Sequence, residues 1–88
     1  KGAGFPMWYV YILRSKKTGK HYSGSSNNPT RRLGEHNSGK TRSLWKHVPL
    51  EIIRIEEYSS KIEAIRRERQ IKSYKSGKAF KKLIGIVE

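Results

Sequence analysis

The chain has 88 residues, one domain's worth, and sets 20 Lys and Arg against seven acids for a net charge of +13. Cysteine is absent, which excludes a disulfide framework and a cysteine zinc site and fits a reducing cytoplasm. No apolar run approaches the roughly 18 residues of a membrane span, no secretory signal is visible, and a core this small favours a shallow surface site over a deep cofactor pocket. The charge points to a polyanion, first of all nucleic acid; a solvated basic face and an anionic membrane surface are the alternatives. Charge supplies affinity for a phosphate backbone and says nothing about chemistry. Residues 1–6 precede the only methionine, Met7, and read as an expression-tag remnant, leaving 7–88 as a single domain.

The aromatic and β-branched run from Trp8 to Leu13 predicts a strand, with Trp8, Val10 and Ile12 on one face and Tyr9, Tyr11 and Leu13 on the other. Lys16 to Gly19 suits a hairpin turn, so the short strand from Lys20 to Ser25 is its antiparallel neighbour. Asn28 and Pro29 are a helix cap and a first helical residue, predicting a helix from Pro29 to about Asn37 that Gly39 ends. Lys40 to His47 reads as a basic loop. Leu50 to Tyr58 alternates as a third strand with Ile53 and Ile55 on one face. Ser60 caps a second helix, with Glu63 completing a capping box, and that helix reaches about Tyr74. Ser76 and Gly77 break it before a short helix from Lys78 to Ile84, whose apolar positions are Phe80, Leu83 and Ile84. The expected fold is α/β (α+β): a three-stranded antiparallel sheet flanked by helices, in the order β-β-α-β-α-α.

Among the acids, all of them Glu, Glu68 stands out. It falls between Ile65 and Ile71 on the core-facing side of the second helix, where a carboxylate is costly unless paired or metal-bound. A half-buried ion pair with an arginine is one reading, and the position alone favours it. A ligand to a hard divalent ion is the other, since Mg²⁺ takes one or two carboxylates and fills its remaining positions with water and phosphate oxygen. Arg32 and His36, four apart on the first helix, share a face. An Arg there could stabilise charge on an attacked phosphate and a His could move a proton; alternatively both touch backbone phosphates, or Arg32 pairs with Glu35. Arg31 points about 100° away and reads as a backbone contact. Tyr11 and Tyr22 lie on paired strands and would bring two phenols close if they share a face, although sheet tyrosines are more often packing residues. Lys20, Lys40, Arg42 and Lys46 are further candidate phosphate contacts. His21 and His47 lack metal-ligand spacing and read as surface contacts. Trp8 reads as packing, and Trp45, within the basic loop, is the better candidate for stacking on a base.

Taken together, Tyr9-Val10-Tyr11, then Tyr22-Ser23-Gly24, then Arg32, His36 and Glu68, resemble the GIY-YIG nuclease superfamily. The similarity is greatest to its small stand-alone bacterial members, relatives of the N-terminal nuclease domain of the excision-repair incision subunit. The turn Lys17 to Lys20, the loop Gly24 to Asn28, and the segments Arg31 to Leu33, Glu35 to Gly39 and Arg67 to Lys72 follow the pattern of those members. The resemblance covers Met7 to about Ile84. It implies a metal-dependent endonuclease acting on DNA, structure-specific or of low sequence specificity, in repair or recombination. It implies one Mg²⁺ or Mn²⁺ ion on Glu68, Tyr11 activating the attacking water, Tyr22 orienting water or phosphate, Arg32 stabilising phosphorane charge and His36 assisting proton transfer. The implied partners are DNA, with RNA as an alternative, no membrane, and a protein that supplies targeting. The implied setting is a bacterial cytoplasm, with nucleoid association. A non-catalytic nucleic-acid-binding protein of the same fold is the competing reading. Ser23 stands where an apolar residue is usual, a loss of burial worth about 1–2 kcal/mol if its side chain faces the core.

Overall fold

The run of aromatic and β-branched residues forms β1, Trp8–Ser15, the middle strand of a three-stranded antiparallel sheet in the order β2-β1-β3. The computed structural model describes residues 7–40, 44–75 and 77–85. Strand β2 is His21–Ser26 and β3 is Leu50–Tyr58. Helices α1, Pro29–Asn37, α2, Lys61–Tyr74, and α3, Lys78–Leu83, complete the order β-β-α-β-α-α, and a single 3-10 turn, Trp45–His47, lies within the basic loop. No described helix is long and apolar enough to cross a membrane. Residues 1–6, read as a tag remnant, and Arg42, read as a phosphate contact, lie outside the described residues.

Strand β1 is apolar on both sides because both sides are covered. Val10 and Ile12 pack with Ala64 and Ile71 of α2 and Phe80 of α3. Tyr11 and Leu13 pack on the opposite face with Leu44 and Leu50, and Tyr22, Leu33, Val48 and Ile52 border that second cluster. Burying a side chain such as Ile12 or Ile71 contributes about 1.5–3 kcal/mol, so two thin clusters take the place of one large core.

The β1–β3 register corrects the expectation that Ile53 and Ile55 share a face. Ile12 is opposite Arg54 and Leu13 is opposite Ile52, so the ladder skips Ile53. This irregularity places Ile53 and Arg54 together against Ile12, as a bulge does. Ile53 therefore joins the α2-side cluster, whereas Ile55, opposite Tyr11, stays 51% exposed on the other face.

Helix starts follow the sequence closely. Asn28 Oδ1 accepts the Arg31 N–H at 3.1 Å, with Pro29 in the first turn. Ser60 Oγ accepts the Glu63 N–H at 3.2 Å, and the Glu63 carboxylate accepts from the Ser59 and Ser60 hydroxyls at 3.3 Å each. Asn37 anchors the end of α1 to β3: its side chain accepts the Leu50 N–H at 2.7 Å and donates to the Leu50 carbonyl at 3.0 Å. On the opposite face Glu56 ties β3 to α2. It accepts from Arg67 Nε at 2.8 Å, Arg54 Nε at 2.9 Å and the Tyr58 hydroxyl at 2.7 Å.

The end of α2 is unusual. The Gly77 N–H donates to the Tyr74 carbonyl at 3.0 Å, closing a four-residue turn whose first central residue is Lys75. Lys75 adopts φ 54° and ψ −123°. These angles belong to the first central position of a type II′ turn, a place usually held by glycine. A non-glycine residue held in such a region costs about 1–3 kcal/mol.

Candidate active site

Tyr11, Tyr22, Arg32, His36 and Glu68 line one open cleft of about 1000 Å³. The cleft straddles β2, an edge strand, and period-two alternation divides its lining. Tyr22 and Gly24 share the face of Leu13 and Tyr11, their register partners, on the α1 side. Ser23, opposite Ile12, points to the α2 side, where Glu68 and Lys72 also line the cleft. Ser23 thus lines open space and is not sealed in the core.

Gly24 determines where Tyr11 can lie. A Cβ on Gly24 would stand 2.7 Å from the Tyr11 hydroxyl oxygen and 2.9 Å from the ring carbon that bears it. The phenol therefore lies directly over the glycine backbone, and any side chain at position 24 displaces its hydroxyl end. This gives a physical reason for glycine here, one that needs no special backbone angle.

The surroundings of Tyr11 pull in two directions. Burial raises its pKa above the usual phenol value of 10, and the nearby Arg32 guanidinium lowers it by charge and hydrogen bonding; burial prevails. Arg32 also donates to Glu35 Oε1 at 2.9 Å, the local pairing that its spacing allows. His36 is 5% exposed, and burial, followed by the charge of Arg32, pushes its pKa below 6.5. The imidazole is therefore neutral at pH 7.

Glu68 is held from two sides. Its Oε1 accepts the Ser25 hydroxyl at 2.7 Å, and its Oε2 pairs with Lys72 Nζ at 2.7 Å. The carboxylate is 18% exposed and the Lys72 side chain 57%. The partner is thus an exposed lysine one turn away on the same helix, not an arginine, and the carboxylate lines the cleft. Ser25 bonding, Lys72 pairing and the fit of Tyr11 over Gly24 were not singled out from the sequence. The i,i+4 spacing of Glu68 and Lys72 was the one signal available for any of them.

No group of three or more acidic or histidine side chains among the described residues is arranged to hold a metal. A lone carboxylate still suits Mg²⁺, which keeps most of its water and takes phosphate oxygens as ligands. Glu68, oriented by Ser25, fits that demand once Lys72 swings aside.

The other predicted contacts are dispersed. Lys20 is exposed and lines the cleft. Arg31 is exposed, donates to Asn27 Oδ1 at 3.3 Å and lies 3.9 Å from Glu35. Lys40 is exposed beyond α1, and Lys46 lies 5.6 Å from the ring centre of Trp45, which is 55% exposed. His21 and His47 make more than surface contacts: His21 meets Phe80 edge-on at 5.3 Å, and His47 packs at 5.3 Å against Tyr22.

The GIY-YIG catalytic domain model matches residues 7–81 of the chain. A UPF0213 protein of Pseudomonas aeruginosa is 35% identical over 80 residues, covering 90% of this chain and 76% of its own length. One of Staphylococcus haemolyticus is 39% identical over 67 residues, covering 75% and 80%. One of Natronomonas pharaonis is 35% identical over 71 residues, covering 80% and 82%.

Proposed function

The chain belongs to the GIY-YIG family of catalytic domains, and on that premise we propose that it is an endonuclease that hydrolyses a phosphodiester bond in DNA with one Mg²⁺ or Mn²⁺ ion. The supporting observation is the cleft across β2, lined by two phenols, an arginine, a neutral imidazole and one carboxylate. Basic side chains around the cleft bind the backbone by charge and carry no base readout. Specificity is then structural or low, as in a repair or recombination activity on nicks, flaps or junctions, with a partner protein supplying targeting. A cytoplasmic, nucleoid-associated setting fits that role.

In the reaction a water oxygen bonds to phosphorus and its proton passes to a base, while the bond from phosphorus to the leaving sugar oxygen breaks and that oxygen takes a proton from solvent water to leave as the hydroxyl. Burial, which raises the Tyr11 pKa against the pull of Arg32, favours the protonated phenol, whose hydroxyl would position the water or the phosphate, helped by Tyr22. His36 is neutral and accepts the proton. Arg32, able to leave Glu35 for phosphate, stabilises the added negative charge. Glu68 holds the divalent ion, which when bound supplies Lewis-acid charge to the phosphate oxygens.

Cleavage assays on plasmid, branched DNA and RNA, with Mg²⁺ or Mn²⁺ against chelator, test the proposal. The expected outcome is a metal-dependent DNA product that Glu68→Ala abolishes while binding persists. No metal-dependent product on any substrate, with wild type and Glu68→Ala indistinguishable, leaves a nucleic-acid-binding protein of nuclease fold.

A further inference from the structure

Lys75 occupies a turn position where glycine is the usual residue, with φ 54° and ψ −123°. Lys75 lines the same cleft as Lys72 and Lys20. No ion pair or side-chain hydrogen bond involves it among the described residues, although Glu68 lies two turns back on the same helix. Strained residues cluster at functional sites, and a glycine here would relieve the strain. A cation at such a position, with no acid paired to it among the described residues, is arranged for an anion from outside.

We infer that Lys75 binds a DNA backbone phosphate flanking the scissile one, on the α2 side of edge strand β2, with Lys72 and Lys20 bordering the same track. The inference rests on the reading of the cleft as a DNA site and adds the path of the strand. The DNA crosses the β2 edge from the α1 side, where Arg32 lies, towards the end of α2. Arg31, Lys40 and Lys46 then belong to the opposite flank. The track also gives Lys72 a role: its ammonium, now on Glu68, would join Lys75 on the neighbouring phosphate if Glu68 held a divalent ion.

The strain makes an unusual test possible, since removing this lysine should stabilise the fold while weakening binding. Binding of a fluorescein-labelled branched DNA duplex is measured in chelator across a series of salt concentrations, together with thermal unfolding. The comparison covers wild type, Lys75→Gly, Lys75→Arg and a charge-loss control in the hairpin turn, Lys17→Gln. Lys75→Gly is expected to melt about 4 °C higher. It should bind several-fold more weakly, with a salt slope shallower by about 0.9, the loss of one phosphate contact. Lys75→Arg should keep the wild-type slope, and Lys17→Gln both slope and affinity. Wild-type affinity and slope in Lys75→Gly, or a melting temperature that does not rise, overturns the inference and leaves the nuclease reading standing. Failure of wild type itself to bind DNA removes the nuclease reading instead.

Discussion

A single missing methyl group sets the position of the phenol in the cleft. Because the Tyr11 hydroxyl lies over Gly24, Gly24→Ala should leave β2 paired and move the hydroxyl by about an ångström. A displacement of that size costs on the order of 10²-fold in rate when the group positions a reactant. Single-turnover cleavage should show such a loss, with DNA affinity unchanged. His36 carries a second residue-level prediction. Its lowered pKa means that the neutral, proton-accepting form persists as pH falls to 6.5 and is lost only below it. The acid limb of kcat/KM should therefore lie below pH 6.5 and disappear in His36→Gln. An acid limb above 6.5 would show that another group accepts the proton.

At the scale of elements, α2 does two jobs with two adjacent sides of its charged surface. Arg67 clamps Glu56 of β3, and Glu68, the next residue, faces the cleft. Arg67, with help from Tyr58 and Arg54, lowers the Glu56 pKa from 4.5 to about 2. A depressed carboxylate contributes its stability fully above the unfolded value and loses it as pH falls towards the folded one. Glu56 should therefore add at most about 3 kcal/mol at neutral pH, fading between roughly pH 5 and 2. Glu56→Gln should lower the melting temperature at pH 7 and converge with wild type in acid; parallel curves at every pH would refute the clamp. Period two already puts Arg54, Glu56 and Tyr58 on one face of β3, but the clamp itself was not legible in the sequence, because no local spacing brings Arg67 of α2 to Glu56. Caps were legible, since Asn28 and Ser60 bond within their own first turns. The bulge that sends Ile53 and Ile55 to different faces was not, because it depends on how β3 meets β1.

For the molecule as a whole, a charge of +13 predicts binding dominated by counterion release. Log affinity for duplex DNA should fall linearly with log salt, each neutralised phosphate contributing about −0.9 to the slope. The order of elements and the five cleft residues were legible because motif order along the chain survives folding. What the cleft does with them was less so. Burial of Tyr11, the lowered pKa of His36 and the lysine on Glu68 are products of packing, and the proposal that the imidazole and not the phenol takes the proton rests on them. The proposed reaction depends on Glu68, the carboxylate of the cleft, to bring a divalent ion to the phosphate. Its most direct test is single-turnover cleavage of a branched DNA duplex in Mg²⁺ by wild type and Glu68→Gln, with affinity for the same duplex measured in chelator. Cleavage lost by at least 10³-fold with affinity within a few-fold is the predicted result. Equal cleavage by the two proteins, or cleavage by wild type that survives chelator, would contradict it.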